Sequence, residues 1–364
     1  MFVCTVVGAR PNFMKMAPVV HELRSRNIEL MLVHTGQHYD DNMSRVFFTD
    51  LKLSEPDVYL NIAPDTQVRQ TASIMNEFES VCSDNKFDLI LVGGGVTSTF
   101  AAAYVGAKLQ IPVGHVEAGL RSFDMSTPEE INRMLTDHIS SLLFTTEEAG
   151  NTNLANEGIA ANQVHFVGNC MVDTLLISVD RAKQEKPWRS FNLKEGQYPV
   201  MTLHHPSNVD SYDIFTRLLK TIGKAVGDTP IIFPVHPRTR RNMAQWQMEV
   251  PEQIIITEPL PYLKYIGLMD AAKFVMTDSG GIQEETTALG IPCLTLRDVS
   301  DRPVTAEMGS NRIVGREPRK IKDAVKEILA DKWNRGTVPP LWDGNAATRI
   351  VDVVQSWAKN NQVQ

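Results

Sequence analysis

The 364-residue chain predicts an α/β protein built of two doubly wound parallel-sheet domains. Three observations carry that expectation. Short β-branched runs alternate with stretches of helical apolar spacing, and the runs are apolar on both faces, as strands covered by helices on both sides must be. The alternation stops and then restarts near the middle of the chain. The length also exceeds what one small core serves.

In the first half, "FVCTVVG" (2–8), "IELMLVHTG" (28–36), "FDLILVGG" (87–94), "IPVGHVE" (111–117), "SLLFTT" (141–146) and "VHFVGN" (164–169) read as strands. Helical spacing fills 13–25, 41–51, 67–84, 97–108, 128–140 and 147–157. The second half repeats the scheme with strands "YPVMTLHH" (198–205), "PIIFPVHP" (230–237), "QIIITEP" (253–259), "KFVMTDS" (273–279), "IPCLTL" (291–296) and "NRIVG" (311–315). Its helices are expected at 209–226, 261–271, 281–289 and 318–331. The stretch "RAKQEKPWRSFNLKEGQYP" (181–199) is polar and holds two prolines, as a linker would, so a hinge is expected at about 168–198. The expected domains are 1–170 and 171–345, with the final helical segment, 346–364, returning to the first.

Composition narrows the class. Hydrophobic residues make up 43% and charged residues 22%, an ordinary globular balance. No apolar run approaches the ~20 residues that span a bilayer. The N-terminal "MFVCTVVGARPNF" has no basic region ahead of its apolar stretch, so a cytoplasmic location without membrane attachment is expected. Four scattered cysteines without Cys-x-x-Cys spacing, and nine histidines without His-Glu-x-x-His, indicate neither zinc site nor disulfide framework; no metal is expected. The net charge of −7 argues against a nucleic-acid partner.

In doubly wound sheets ligands lie beyond the carboxyl ends of the strands, so the residues there carry the chemistry. "GARPNFMK" opens a helix with Arg10 and Lys15, and a helix N-terminus favours an anion; the plain alternative is a solvated Arg and Lys. "TDSGGIQEE" places Ser279, Gly280 and Gly281 at a strand-to-helix turn whose backbone donors suit a diphosphate, with Glu285 a turn further on for a sugar's hydroxyls. The alternative is a helix capped by Ser279. "HVEAGLRS" supplies Glu117, and "TPEEINR" supplies Glu129, Glu130 and Arg133 at a helix start, where dipole capping accounts for one carboxylate. His204 and His205 in "TLHHPSNVD" and His236 in "PVHPRTR" end second-half strands, a cluster that points to a charged catalytic cleft. "LVGGGVTS" (91–98) lets a backbone come close to a ligand but holds no acid, base or nucleophile.

Together "GARPNFMKMAPV", "HTGQHYD", "HVEAGLRS", "PEEINR", "TLHHPSNVD", "PVHPR", "TDSGGIQEE" and "LRDVSDRPV" resemble, in order and spacing, the UDP-N-acetylglucosamine 2-epimerases. The resemblance runs from residue 1 to about 315, and "HTGQHYD" with "PVHPR" looks like the non-hydrolysing bacterial branch. It implies a GT-B-like fold of two Rossmann-type domains facing a cleft, a homodimer, a UDP-sugar substrate, and no metal or redox cofactor. It implies Glu117, Glu129 and His204 as the catalytic set. Arg10 and Lys15 would lie near the diphosphate or sugar, Ser279, Gly280, Gly281 and Glu285 would hold diphosphate and ribose with Arg302 nearby, and Tyr265 would meet the uracil. The implied reaction eliminates UDP to a 2-acetamidoglucal and re-adds it after protonation on the other face.

The chain departs from the family pattern at three places. Gly94-Gly95-Val96 stands where the family has Gly-Asp-Thr, so Gly95 replaces a carboxylate of the acid/base machinery. His205 stands where Arg usually follows the catalytic histidine, and Asp40 where Gln or Glu is frequent. Losing one acid/base group typically costs ~10²–10⁴-fold in rate. A 2-epimerase is therefore the leading reading, beside hydrolysis or transfer to another acceptor and a nucleotide-sugar binding protein with an impaired site. If the family reaction is kept, Gly95→Asp should raise 2-epimerisation, provided that the backbone tolerates it.

Overall fold

The computed structural model describes residues 1–36 and 49–361, apart from the side chains of Arg10 and Pro11. The expected helix at 41–51 falls almost wholly outside these residues, as does Asp40. The chain divides into two compact units, 1–174 with 340–364, and 175–339.

The first unit holds a seven-stranded sheet: β1 (Phe2–Val7), β2 (Glu29–His34), β3 (Val58–Tyr59), β4 (Leu89–Gly93), β5 (Val113–Ala118), β6 (Leu142–Thr145) and β7 (Val164–Phe166). All the pairings are parallel, in the order β3-β2-β1-β4-β5-β6-β7. The second unit holds β8 (Val200–Thr202), β9 (Ile231–Pro234), β10 (Ile254–Thr257), β11 (Val275–Thr277), β12 (Cys293–Thr295) and β13 (Asn311–Ile313). Their order, β10-β9-β8-β11-β12-β13, repeats that of the first six strands, again all parallel. This is a doubly wound, Rossmann-like order, with a switch point between β1 and β4 and another between β8 and β11.

Each sheet buries its own core. Cys4, Val6, Ile90 and Val92 pack with Phe78 and Ala102 of the helices Gln67–Asp84 and Thr97–Lys108 in the first unit. Met201, Phe233, Met276 and Leu294 pack with Phe215 and Ile222 of the helix Tyr212–Val226 in the second. Among the described residues, six α-helices have proline in the first turn, where its missing N–H has no intrahelical partner to lose, Pro11, Pro128 and Pro237 among them.

Two readings of local structure need correction. The polar stretch expected to be a linker carries secondary structure of its own. A helix, Cys170–Glu185, runs into it, and the 3-10 turn Pro187–Phe191 follows, with Trp188 buried. The run "MVDTLLISV" supplies an apolar helical face, and the polar residues after it lie on the exposed side. The single helix expected at 209–226 is two, Pro206–Val209 and Tyr212–Val226, because Ser211 takes an extended N-cap conformation between them. The final helix, Ala346–Asn361, lies in the first unit, where Asp173 accepts from the backbone N–H of Ala346 (3.2 Å) and Ala347 (2.8 Å).

Candidate active site

In the first unit the glycine loop leaves β4 at the switch point. Glycine there has the freedom that a tight exit needs, so its orientation must be imposed by partners. Each of its three carbonyls has one. Gly93 O accepts from Asn12 Nδ2 and from Thr99 Oγ1 (2.7 Å), Gly94 O faces His115 Nε2 (2.9 Å), and Gly95 O accepts from Asn132 Nδ2 (2.9 Å).

Beside this loop, Lys15 reaches from the first helix to the end of β5. Its Nζ lies 2.7 Å from each carboxylate oxygen of Glu117, and both residues are buried. Glu117 has φ +71°, a left-handed conformation that a residue with a side chain adopts at a cost of about 1–3 kcal/mol and that clusters at functional sites. It coincides with a register irregularity between Val116 and Ala118 that turns the carboxylate off the strand path.

The acidic pair at the next helix divides. Glu130 is buried and holds the preceding loop, accepting from Ser122 N (2.9 Å), Ser122 Oγ (3.0 Å) and Phe123 N (2.9 Å), with Arg133 Nη2 at 3.0 Å. Glu129 is exposed. Arg133 also packs under the glycine loop: a Cβ on Gly95 would lie 2.9 Å from its Cγ and 2.8 Å from the backbone oxygen of Glu129. The loop has no room for the carboxylate whose restoration the sequence suggested.

Asp137 is a hub that sequence reasoning missed. Its carboxylate meets His115 Nδ1 (2.6 Å), Arg121 Nη2 (2.7 Å) and Gly119 N (3.1 Å). Burial alone would raise this carboxyl, but His115 and then Arg121 outweigh it and hold it below the usual value. His115 stood in a quoted motif; Asp137, 22 residues on in a helix, gave no signal of its own.

In the second unit Asp278, just beyond β11, organises the end of the neighbouring strand β8. It accepts from the backbone N–H of His204 (3.1 Å to each oxygen) and His205 (3.0 Å), and from Asn208 Nδ2 (3.0 Å), while His204 Nδ1 lies 3.2 Å away. Burial, and then Arg297, lowers the His205 pKa. The His204 and His236 rings sit 5.9 Å apart, and His236 caps the helix Pro237–Gln245 by accepting from Arg238 N (3.2 Å). Ser279 occupies the N-cap position of the helix Gly280–Leu289, yet its side chain makes no capping bond there. Ser279, Gly280 and Gly281 are half-buried at that helix start.

Glu285 is buried and accepts from Tyr262 Oη (3.0 Å), a partner not anticipated; Tyr265 is buried one turn along the same helix. Arg302 is buried too, its Nε 2.6 Å from Glu284 and its Nη1 3.1 Å from Asp301. The first unit thus gathers Lys15, Glu117, Gly95, Glu130 and Arg133, and the second gathers His204, His205 and His236 at neighbouring strand ends. The Arg10 side chain lies outside the described residues. Among the described residues, no group of His, Cys, Asp and Glu is arranged to hold a metal ion.

The chain as a whole is similar to known proteins. Residues 21–355 match the family model described as UDP-N-acetylglucosamine 2-epimerase. The chain is 39% identical to a UDP-N-acetylglucosamine 2-epimerase of Methanococcus maripaludis, covering 96% of this chain and 97% of that one. It is 35% identical to a UDP-2,3-diacetamido-2,3-dideoxy-D-glucuronate 2-epimerase of Pseudomonas aeruginosa, covering 97% and 99%. The crystal structure of the Methanocaldococcus jannaschii UDP-GlcNAc 2-epimerase, in complex with UDP-GlcNAc and UDP, superimposes with a TM-score of 0.90 at 38% identity, over 98% of this chain and 100% of that one. With two Rossmann-like units and a family match over nearly the whole chain, this protein belongs to the UDP-N-acetylglucosamine 2-epimerase family.

Proposed function

We propose that the protein inverts C2 of UDP-N-acetylglucosamine by eliminating UDP and re-adding it to the 2-acetamidoglucal. The observation that carries this reading is the buried Lys15–Glu117 pair beside the glycine loop. A carboxylate held on a left-handed residue, out of water and against an ammonium, is a group placed for proton transfer rather than for solubility. Glu117, Glu129 and His204 form the proposed acid/base set. Ser279, Gly280 and Gly281 would take the diphosphate on their helix start, with Arg10, Lys15 and Arg302 supplying positive charge, and Glu285 and Tyr265 serving the nucleoside. Gly95, Glu130, Arg133, His205 and His236 shape or flank the same sites.

The test is NMR of the protein with UDP-N-acetylglucosamine in D₂O. Deuterium at C2 together with the 2-epimer of the UDP-sugar is the expected result. UDP with free monosaccharide, or an unchanged spectrum, would overturn it.

A homodimer and a cytoplasmic location complete the proposal. Helices Thr97–Lys108 and Pro128–Ile139 pack on each other and leave Tyr104, Ile131 and Leu135 40–45% exposed, a surface suited to a second copy. All four cysteines are free and buried, which suits a reducing compartment. Among the described residues no helix is long and apolar enough to cross a membrane.

A further inference from the structure

We propose that His115 is a positioning residue, which, backed by Asp137, fixes the Gly94 carbonyl and thereby sets Lys15 and Glu117 for the reaction. The inference rests on the epimerase reading above.

His115 is fully buried in the middle of the first sheet, with Val92 and Leu143 as its neighbours on the flanking strands. A residue needed only for packing at such a place would be aliphatic, because burying a polar ring costs free energy unless both nitrogens are satisfied. Both are. Nδ1 lies 2.6 Å from the Asp137 carboxylate, and Nε2 lies 2.9 Å from the carbonyl of Gly94. A carbonyl oxygen only accepts, and the carboxylate, ion-paired with Arg121, accepts as well, so each ring nitrogen carries and donates an N–H.

The Gly94 peptide is the consequential one to hold. Gly94 has φ +69°, and a Cβ there would lie 2.8 Å from Lys15 Nζ. The ammonium that grips Glu117 therefore rests directly against this residue, and a rotated Gly94 peptide would displace it. The other oxygen of Asp137 holds Gly119 N, two residues beyond Glu117. One carboxylate thus ties the glycine loop, through His115, to the turn that carries the catalytic glutamate. A shift of the order of 1 Å in such a frame costs about 10²-fold in rate.

Two substitutions separate the ring's two bonds. His115→Asn keeps a donor where Nδ1 meets Asp137 and loses the reach to Gly94; His115→Gln places a donor near the Nε2 position. For UDP-N-acetylglucosamine epimerisation, we expect kcat to fall about 10²-fold in His115→Asn with KM nearly unchanged, and most of it to return in His115→Gln. A His115→Asn enzyme with wild-type kcat, or two variants that lose rate only in proportion to their loss of Tm, would overturn the proposal. A readout without turnover guards against variants that do not fold. In the ¹⁵N-histidine-labelled wild type, His115 should show a directly bonded proton on both ring nitrogens, and a single N–H sinks the proposal. A wild type inert toward the UDP-sugar but with both His115 protons present would refute the epimerase reading instead.

Discussion

Gly95 is required by space and not by backbone conformation. Its φ lies outside the left-handed region that Gly94 occupies, yet a Cβ would sit 2.8 Å from the Glu129 backbone oxygen. Arg133 can bend aside; a carbonyl in the first turn of a helix cannot. Gly95→Asp should therefore destabilise the fold by about 1–3 kcal/mol through overpacking, with a lower Tm, and lower turnover rather than raise it. Thermal melts run beside epimerase assays will check this, and a stable, faster variant would return a carboxylate to that loop. Glu117→Gln keeps an oxygen for Lys15 and removes the transferable proton site. We expect a cooperative fold with kcat reduced ~10²–10⁴-fold, measured by coupled assay and circular dichroism.

Elements in this protein are pinned to one another by single carboxylates. Asp173, on the helix Cys170–Glu185, receives two N–H groups at the start of the helix Ala346–Asn361, acting as its cap although it lies far away in sequence. Arg26 ties the same helix to the first one through Asp352 (2.6 Å). Asp173→Ala should cost about 1–2 kcal/mol, the usual loss when an N-cap oxygen is removed. Limited proteolysis should then cut first in the segment 336–345; an unaltered cleavage pattern and Tm would mean that the apolar face of the terminal helix suffices alone.

For the whole molecule, repetition of one strand order in two units gives two separate cores, each with its own buried polar hubs. Those of the first unit carry a pH signature. Asp137 titrates below its unfolded value, so its stabilisation is fully present above about pH 4, the ordinary aspartate pKa, and is lost as pH falls through the depressed folded value. Asp137→Asn should melt earlier than wild type at pH 7, with the gap closing on acidification below about pH 4. A gap that persists in acid would assign the loss to hydrogen-bond geometry instead of charge. Association is the other property at this scale. Leu135→Arg, on an exposed helix face, should yield a monomer by light scattering if that face joins two copies, and an unchanged mass would move the interface elsewhere.

The sequence by itself determined the two parallel-sheet units, the family, and the strand ends at which polar residues gather. Apolar period and proline or glycine punctuation are local, and the central strands β1, β4, β5 and β6 are buried almost throughout, as the alternation says. It misjudged the segment after Cys170 because charged residues on an exposed helix face look, one by one, like linker. Only the tertiary structure decided that Glu130 holds a loop while Glu129 is exposed, that Arg302 pairs with Glu284, and that Asp137 and Asp278 each anchor strand ends in their own unit. His204 meets a carboxylate 74 residues away, and Lys15 one 102 residues away. Such pairings depend on which strands become neighbours and how closely backbones approach, as at Gly95, and neither is encoded in local periodicity.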